Sequence, residues 1–78
     1  METTPAADPK SAEDWYRSGN AHQDEGRDDL AVECYERVVQ LRPGHAKAWN
    51  NLGVSLKEQG RLKEAEDSFR RALHISPN

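Results

Sequence analysis

At 78 residues, with 35% hydrophobic and 32% charged side chains, the chain has material for one small core. The lone cysteine, Cys34, cannot form an internal disulfide, and no apolar run exceeds three residues, which excludes a disulfide-stapled miniprotein, a membrane span and a signal-peptide core. A formal net charge of −3 gives no electrostatic reason to expect nucleic acid or an anionic membrane as partner.

In chain order, Met1–Lys10 holds Pro5 and Pro9 and, after Met1, no apolar side chain larger than alanine. This predicts a flexible leader over residues 1–11. Ser11 with Asp14 three residues later makes a capping-box pattern, so a first helix is expected over Ala12–Glu25. Gly26 supplies the left-handed residue that ends it, and Asp28 is the expected cap of a second helix. That helix should run to Arg42, where Pro43 and Gly44 stop it. His45 is a polar cap candidate ahead of a third helix, Ala46–Gln59. After Gly60, a fourth helix is expected over Lys63–Ser76, before Pro77. Glu33–Arg37, Glu66–Arg70 and Asp67–Arg71 are acid-before-base pairs at i,i+4 that support exposed helical faces.

The second pair of helices repeats the first. A shift of 34 residues aligns 12–44 with 46–78, and eight of the 33 pairs are identical: Ala12/Ala46, Trp15/Trp49, Gly19/Gly53, Gly26/Gly60, Arg27/Arg61, Ala31/Ala65, Arg37/Arg71 and Pro43/Pro77. Ordinary composition gives roughly two by chance. A disordered tract has no reason to hold tryptophans in register, and the Gly-Arg breaks interrupt any coiled-coil heptad. The expected fold is all-α: antiparallel helix-turn-helix repeats, four helices in all, stacked as a short right-handed solenoid. Its units are residues 12–45 and 46–78, with no C-terminal capping helix.

The residues Trp49, Leu52, Gly53, Ala65, Phe69, Ala72 and Pro77 resemble the tetratricopeptide repeat pattern W-x2-L-G-x2-Y, A-x3-F, A, P, with Leu56 in place of Tyr. In the first repeat Trp15, Gly19, Ala31, Tyr35 and Pro43 match, while Ser18, His22 and Val38 stand where Leu, Tyr and Ala are usual. The resemblance covers residues 12–78 and implies a stack of helix pairs that binds proteins or peptides on its concave side. Spacing independently puts Trp49, Leu52, Gly53 and Leu56 on one helical face. Glycine inside a helix costs about 1 kcal/mol relative to alanine, which makes sense if a partner helix passes too close for a Cβ. Trp15 and Trp49 are expected in the core, and Phe69 between Ala65 and Ala72.

No catalytic constellation stands out. His22, His45 and His74 lie in separate segments, none at zinc-binding spacing with another ligand. His22 is expected as a satisfied structural histidine and Cys34 as a small buried thiol. The chain is thus expected to be no enzyme, to need no cofactor or metal, and to be cytoplasmic.

Off the packing face, the first helix of each repeat presents Glu13, Tyr16, Arg17, Asn20, Gln23 and Asp24, and Lys47, Asn50, Asn51, Val54, Lys57 and Glu58. From these, Tyr16, Arg17, Asn20, Lys47, Asn50 and Asn51 are the candidate peptide-binding residues, since side-chain amides both donate and accept. Asn20, Lys47 and Asn51 also resemble parts of the carboxylate clamp by which some members of the family hold chaperone tails, although Tyr16 stands where its first Lys would be. The Asn51 position resembles the asparagine ladder of O-linked N-acetylglucosamine transferases, with Arg17 as its counterpart in the first repeat. Three readings follow: a protein-interaction scaffold holding a peptide or partner segment, the recognition arm of a larger enzyme such as a glycosyltransferase, or a solvated face with no ligand. Neither nucleic acid nor membrane is an expected partner. Phe69, Leu73 and Ile75 lie on the final helix, and residues 12–45 carry net −4 against +2 for residues 46–78, so weak head-to-tail self-association through the repeat ends is expected.

Overall fold

The structure, a computed structural model, describes residues 10–77. Four helices make it up: α1 (Ala12–Asp24), α2 (Asp28–Leu41), α3 (Ala46–Glu58) and α4 (Leu62–Ile75). Each packs on the next, and α1 also touches α3. The result is two antiparallel helix pairs, α1/α2 and α3/α4, with α3 set against the first pair.

Local chemistry sets the ends. Ser11 Oγ accepts the Asp14 N–H at 3.1 Å while the Asp14 carboxylate accepts the Ser11 N–H at 3.4 Å, a reciprocal capping box. Gly26 (φ 75°) and Gly60 (φ 81°) take the left-handed turn that non-glycine residues resist. Beyond them, the Arg27 N–H reaches His22 O at 2.8 Å and the Arg61 N–H reaches Leu56 O at 2.9 Å, tying off both helices in the same way. His45 Nδ1 accepts the Ala48 N–H at 3.1 Å and caps α3, as expected. Asp28 is not the cap of α2: Arg27 holds that position without a side-chain cap, and Asp28 lies in the first turn, where its charge suits the helix dipole. The predicted leader also needs correction at its end. Lys10 Nζ lies 4.3 Å from the Trp15 ring centroid and donates to Ser18 Oγ at 3.3 Å, and Ser11 caps α1. The rest of the leader, residues 1–9, lies outside the described residues.

The core is continuous across the two pairs. Ala31, Val32, Tyr35, Leu52, Leu56 and Ala65 form one buried cluster, and Ala12, Val38, Val39 and Ala48 a second; Tyr16 and Trp49 pack against both. The glycines at the helix crossings are indeed sites of close approach, but to a ring rather than to a helix backbone. A Cβ on Gly53 would stand 2.7 Å from Phe69 Cε1, and one on Gly19 would stand 2.7 Å from Tyr35 Cε1. The aromatic ring of the second helix lies on the bare glycine of the first, once per pair.

The tryptophans are half-buried, not fully enclosed. Trp49 Nε1 donates to Pro43 O at 2.7 Å, and the Arg71 guanidinium covers its ring at 5.0 Å. Arg37 covers Trp15 at 5.4 Å in the same manner. The identity of Trp15/Trp49 and of Arg37/Arg71 across the repeat is thus one feature. Arg71 lies over Trp49, while Asp67 meets Arg70 at 3.7 Å instead of the expected Arg71; Glu66–Arg70 is present at 3.5 Å. His22 also departs from expectation: its Nδ1 is buried without a hydrogen-bond partner among the described residues. Cys34 is buried, and desolvation pushes its thiol up, against a lowering by Lys10. No helix among the described residues is long and apolar enough to cross a membrane.

Candidate functional site

Because α3 sits against α1 and α2, the exposed faces of the two leading helices meet at a polar junction. Asn51 of α3 faces Tyr16 and Asn20, which are one turn apart on α1. Its Nδ2 donates to the Tyr16 hydroxyl at 3.3 Å and to Asn20 Oδ1 at 3.2 Å. The same Asn20 oxygen accepts the Tyr35 hydroxyl of α2 at 2.6 Å. Gln23, the next turn of α1, donates through Nε2 to Asn51 O at 3.0 Å and to Ser55 Oγ at 2.8 Å, and its Oε1 lies 3.5 Å from the Tyr35 hydroxyl. Tyr35 and Ser55 are wholly buried, so each needs an internal partner, and the junction provides one. Burial raises the Tyr35 phenol to about 12, with the Asn51 amide pulling the other way.

The network fixes side chains that would otherwise sample several rotamers. Among the polar functions it leaves uncommitted within it are Asn51 Oδ1 as an acceptor and the Tyr16 hydroxyl proton as a donor. Tyr16 is held further by ring contact with His45, centroids 4.7 Å apart, and with Tyr35 at 6.0 Å. Such a site can exchange hydrogen bonds with the N–H and C=O of an extended chain.

The six candidate residues divide. Tyr16, Asn20 and Asn51 are brought together by direct hydrogen bonds. Lys47 and Asn50, both exposed, line a cleft with Tyr16 and Asn51, and its other wall is Phe69, Ala72, Leu73 and Ser76. Arg17 stands apart: it is exposed, pairs with Asp14 at 3.4 Å and lines neither the junction nor the cleft. Three members, Gln23, Tyr35 and Ser55, are outside the six candidates, although Gln23 was placed on the same helical face. Ser55 was detectable as a hydroxyl between the core positions Leu52 and Leu56. Among the described residues, no group of three His, Cys, Asp or Glu side chains is placed to hold a metal ion.

The profile of the tetratricopeptide repeat family matches residues 8–78. The chain belongs to the tetratricopeptide-repeat family. Its fold matches the crystal structure of MamA with a TM-score of 0.84 at 28% identity, over 92% of this chain and 42% of that one. It is 37% identical over 66 residues to the probable UDP-N-acetylglucosamine–peptide N-acetylglucosaminyltransferase SPINDLY of Arabidopsis thaliana, covering 85% of this chain and 7% of that protein. An uncharacterised protein of Methanocaldococcus jannaschii is 32% identical over 66 residues, 85% of this chain and 77% of the relative. Against the long relatives the chain spans between 7% and 12% of their length. Tetratricopeptide repeats are a non-catalytic repeat type that mediates contacts between proteins. In those terms, α1 and α3 are the leading helices of two successive repeats, and the amide junction joins them.

Proposed function

We propose that the chain is a protein-interaction scaffold of two repeats, residues 12–45 and 46–78, whose α1/α3 face holds an extended segment of a partner protein. The observation that carries this reading is the Asn51–Tyr16–Asn20–Tyr35 network, which presents an acceptor and a donor at a fixed spacing beside the cleft lined by Lys47 and Asn50. Asn51 Oδ1 accepts a peptide N–H, the Tyr16 hydroxyl donates to a peptide carbonyl, and Lys47 attracts acidic side chains or a terminal carboxylate. Asn20 acts through Asn51, since its own oxygen already takes two hydrogen bonds. Arg17 is outside this reading. A cytoplasmic location is part of it, supported by the single buried thiol.

A second reading, the recognition arm of a larger enzyme, is favoured by the likeness to SPINDLY, whose name gives a peptide as acceptor substrate. Both readings place a peptide on the same face. The test is titration of isotopically labelled protein with peptides that include acidic C-terminal tails. Shifts centred on Tyr16, Lys47 and Asn51 are expected. Shifts confined to Glu36 and Arg37 on α2 would contradict the assignment.

A further inference from the structure

Ile75 does not share one open face with Phe69 and Leu73, as its place on the last helix led us to expect. Phe69 is half-buried on Gly53, while Ile75 lines a cleft of about 520 Å³ with Pro43 of the first repeat and Trp49 of α3. The rest of the α4 side of this cleft is largely cationic, with Arg70, Arg71 and His74.

Comparison of the two repeats separates what is structural here from what is not. Arg71 covers Trp49 as Arg37 covers Trp15, so the stack belongs to the fold. The surroundings differ. Beside Trp15 the corresponding cleft is lined by Glu33, Glu36, Arg37 and Gln40, two acids against one base. At the same positions α4 has Asp67, Arg70, Arg71 and His74, one acid against two bases and an imidazole. Stacking on a tryptophan requires neither Arg70 nor His74, because the first repeat manages with Glu36 and Gln40. Those four residues of the first repeat also remain exposed with the second helix pair packed on the first. The Trp49 cleft therefore does not owe its exposure to a place near the end of the sequence.

Arg71 is the donor at its centre. The ring contact restricts its guanidinium, which makes no hydrogen bond or ion pair with another described residue. Asp67, one turn earlier, turns to Arg70 at 3.7 Å, and Arg70 also meets Glu66 at 3.5 Å. Arg70 thus adds positive potential, and Arg71 keeps its N–H groups for a ligand. His74, three residues on, brings a ring N–H to the same cleft. A carboxylate matches the guanidinium fork with two parallel hydrogen bonds, and Pro43, Trp49 and Ile75 offer apolar surface to the side chain next to it.

We propose that this cleft binds an acidic peptide segment, with one carboxylate on Arg71 and His74 and a neighbouring aliphatic side chain against Pro43, Trp49 and Ile75. The site shares no residue with the Tyr16–Asn20–Asn51 junction, and the inference does not rest on the peptide reading of that junction.

The test is titration of the labelled full chain, to millimolar concentration, with a blocked tetrapeptide carrying glutamate next to leucine, while both indole N–H resonances are followed. The Trp49 signal should shift, and that of Trp15, in the acidic cleft, should not. The same peptide with glutamine should move neither. Arg70→Glu combined with His74→Gln installs the residues of the first repeat and should weaken binding by about tenfold with an unchanged melting transition. Arg71→Lys keeps the charge, loses the fork and should weaken binding several-fold. A Trp49 signal that stays still, equal shifts of both indoles, or equal binding of the glutamine peptide overturns the proposal. So does undiminished binding to the double variant, or a response at Asn51 without one at Trp49. If a phosphoserine peptide shifts Trp49 and the glutamate peptide does not, the carboxylate assignment is overturned.

Discussion

Gly53 shows how one missing Cβ sets a helix pair. Alanine is the better helix former by about 1 kcal/mol, yet here its methyl carbon would stand 2.7 Å from a ring carbon of Phe69. Gly53→Ala should therefore destabilise the protein by about 1–3 kcal/mol, as overpacking does, and Phe69→Leu in the same background should recover part of the loss. Thermal melts followed by circular dichroism decide this; a stabilised Gly53→Ala would show that the ring moves freely. His22 is the opposite case. Its buried Nδ1 has no hydrogen-bond partner among the described residues, and the corresponding residue of α3 is the buried Leu56. His22→Leu should stabilise the fold by about 1 kcal/mol by removing an unpaired polar atom. An unchanged or lowered melting temperature would contradict that account.

At the scale of elements, α2 has more buried residues than any other helix and supplies the phenol that bonds Asn20 and Gln23 of α1 beneath the junction. Tyr35 has its pKa raised from 10.0 to about 12, chiefly by burial. A phenol whose folded pKa lies above its unfolded one contributes its full stability below pH 10 and loses it as the pH rises toward 12. The wild type should therefore lose stability across that window faster than Tyr35→Phe, a difference that urea titrations at pH 9 and pH 11 would reveal. Equal losses would place the phenolate in water. The four helices were legible in the sequence to within a residue or so at most ends, because capping and glycine signals are local and each recurs 34 residues later. The site was only partly legible. Tyr16, Asn20 and Asn51 could be placed on one face, but their mutual bonds depend on how α3 sits against α1 and α2, which no local pattern encodes. Arg17 shares the helical face but is drawn to Asp14, the acid of the capping box. The arginines over Trp15 and Trp49 went unread for a similar reason: identity at spacing 34 reveals a pair only once the two helices are packed.

For the whole molecule, the central claim is that packing two repeats creates a preorganised polar face and that this face holds an extended peptide. Its parts differ in kind. Under the proposed function, Asn51 touches the ligand, Tyr35 acts from beneath by holding Asn20, and Arg17 contributes to neither. The most direct measurement is calorimetric titration of one peptide that shifts the Tyr16, Lys47 and Asn51 resonances into the wild type and into Asn51→Ala, Tyr35→Phe and Arg17→Ala, with the melting temperature of each recorded alongside. Loss of a hydrogen bond to the peptide backbone should weaken binding by roughly tenfold in Asn51→Ala. A smaller loss is expected in Tyr35→Phe, and none in Arg17→Ala. Binding unaffected by Asn51→Ala, or abolished by Arg17→Ala alone, would contradict the claim and move the ligand off the junction.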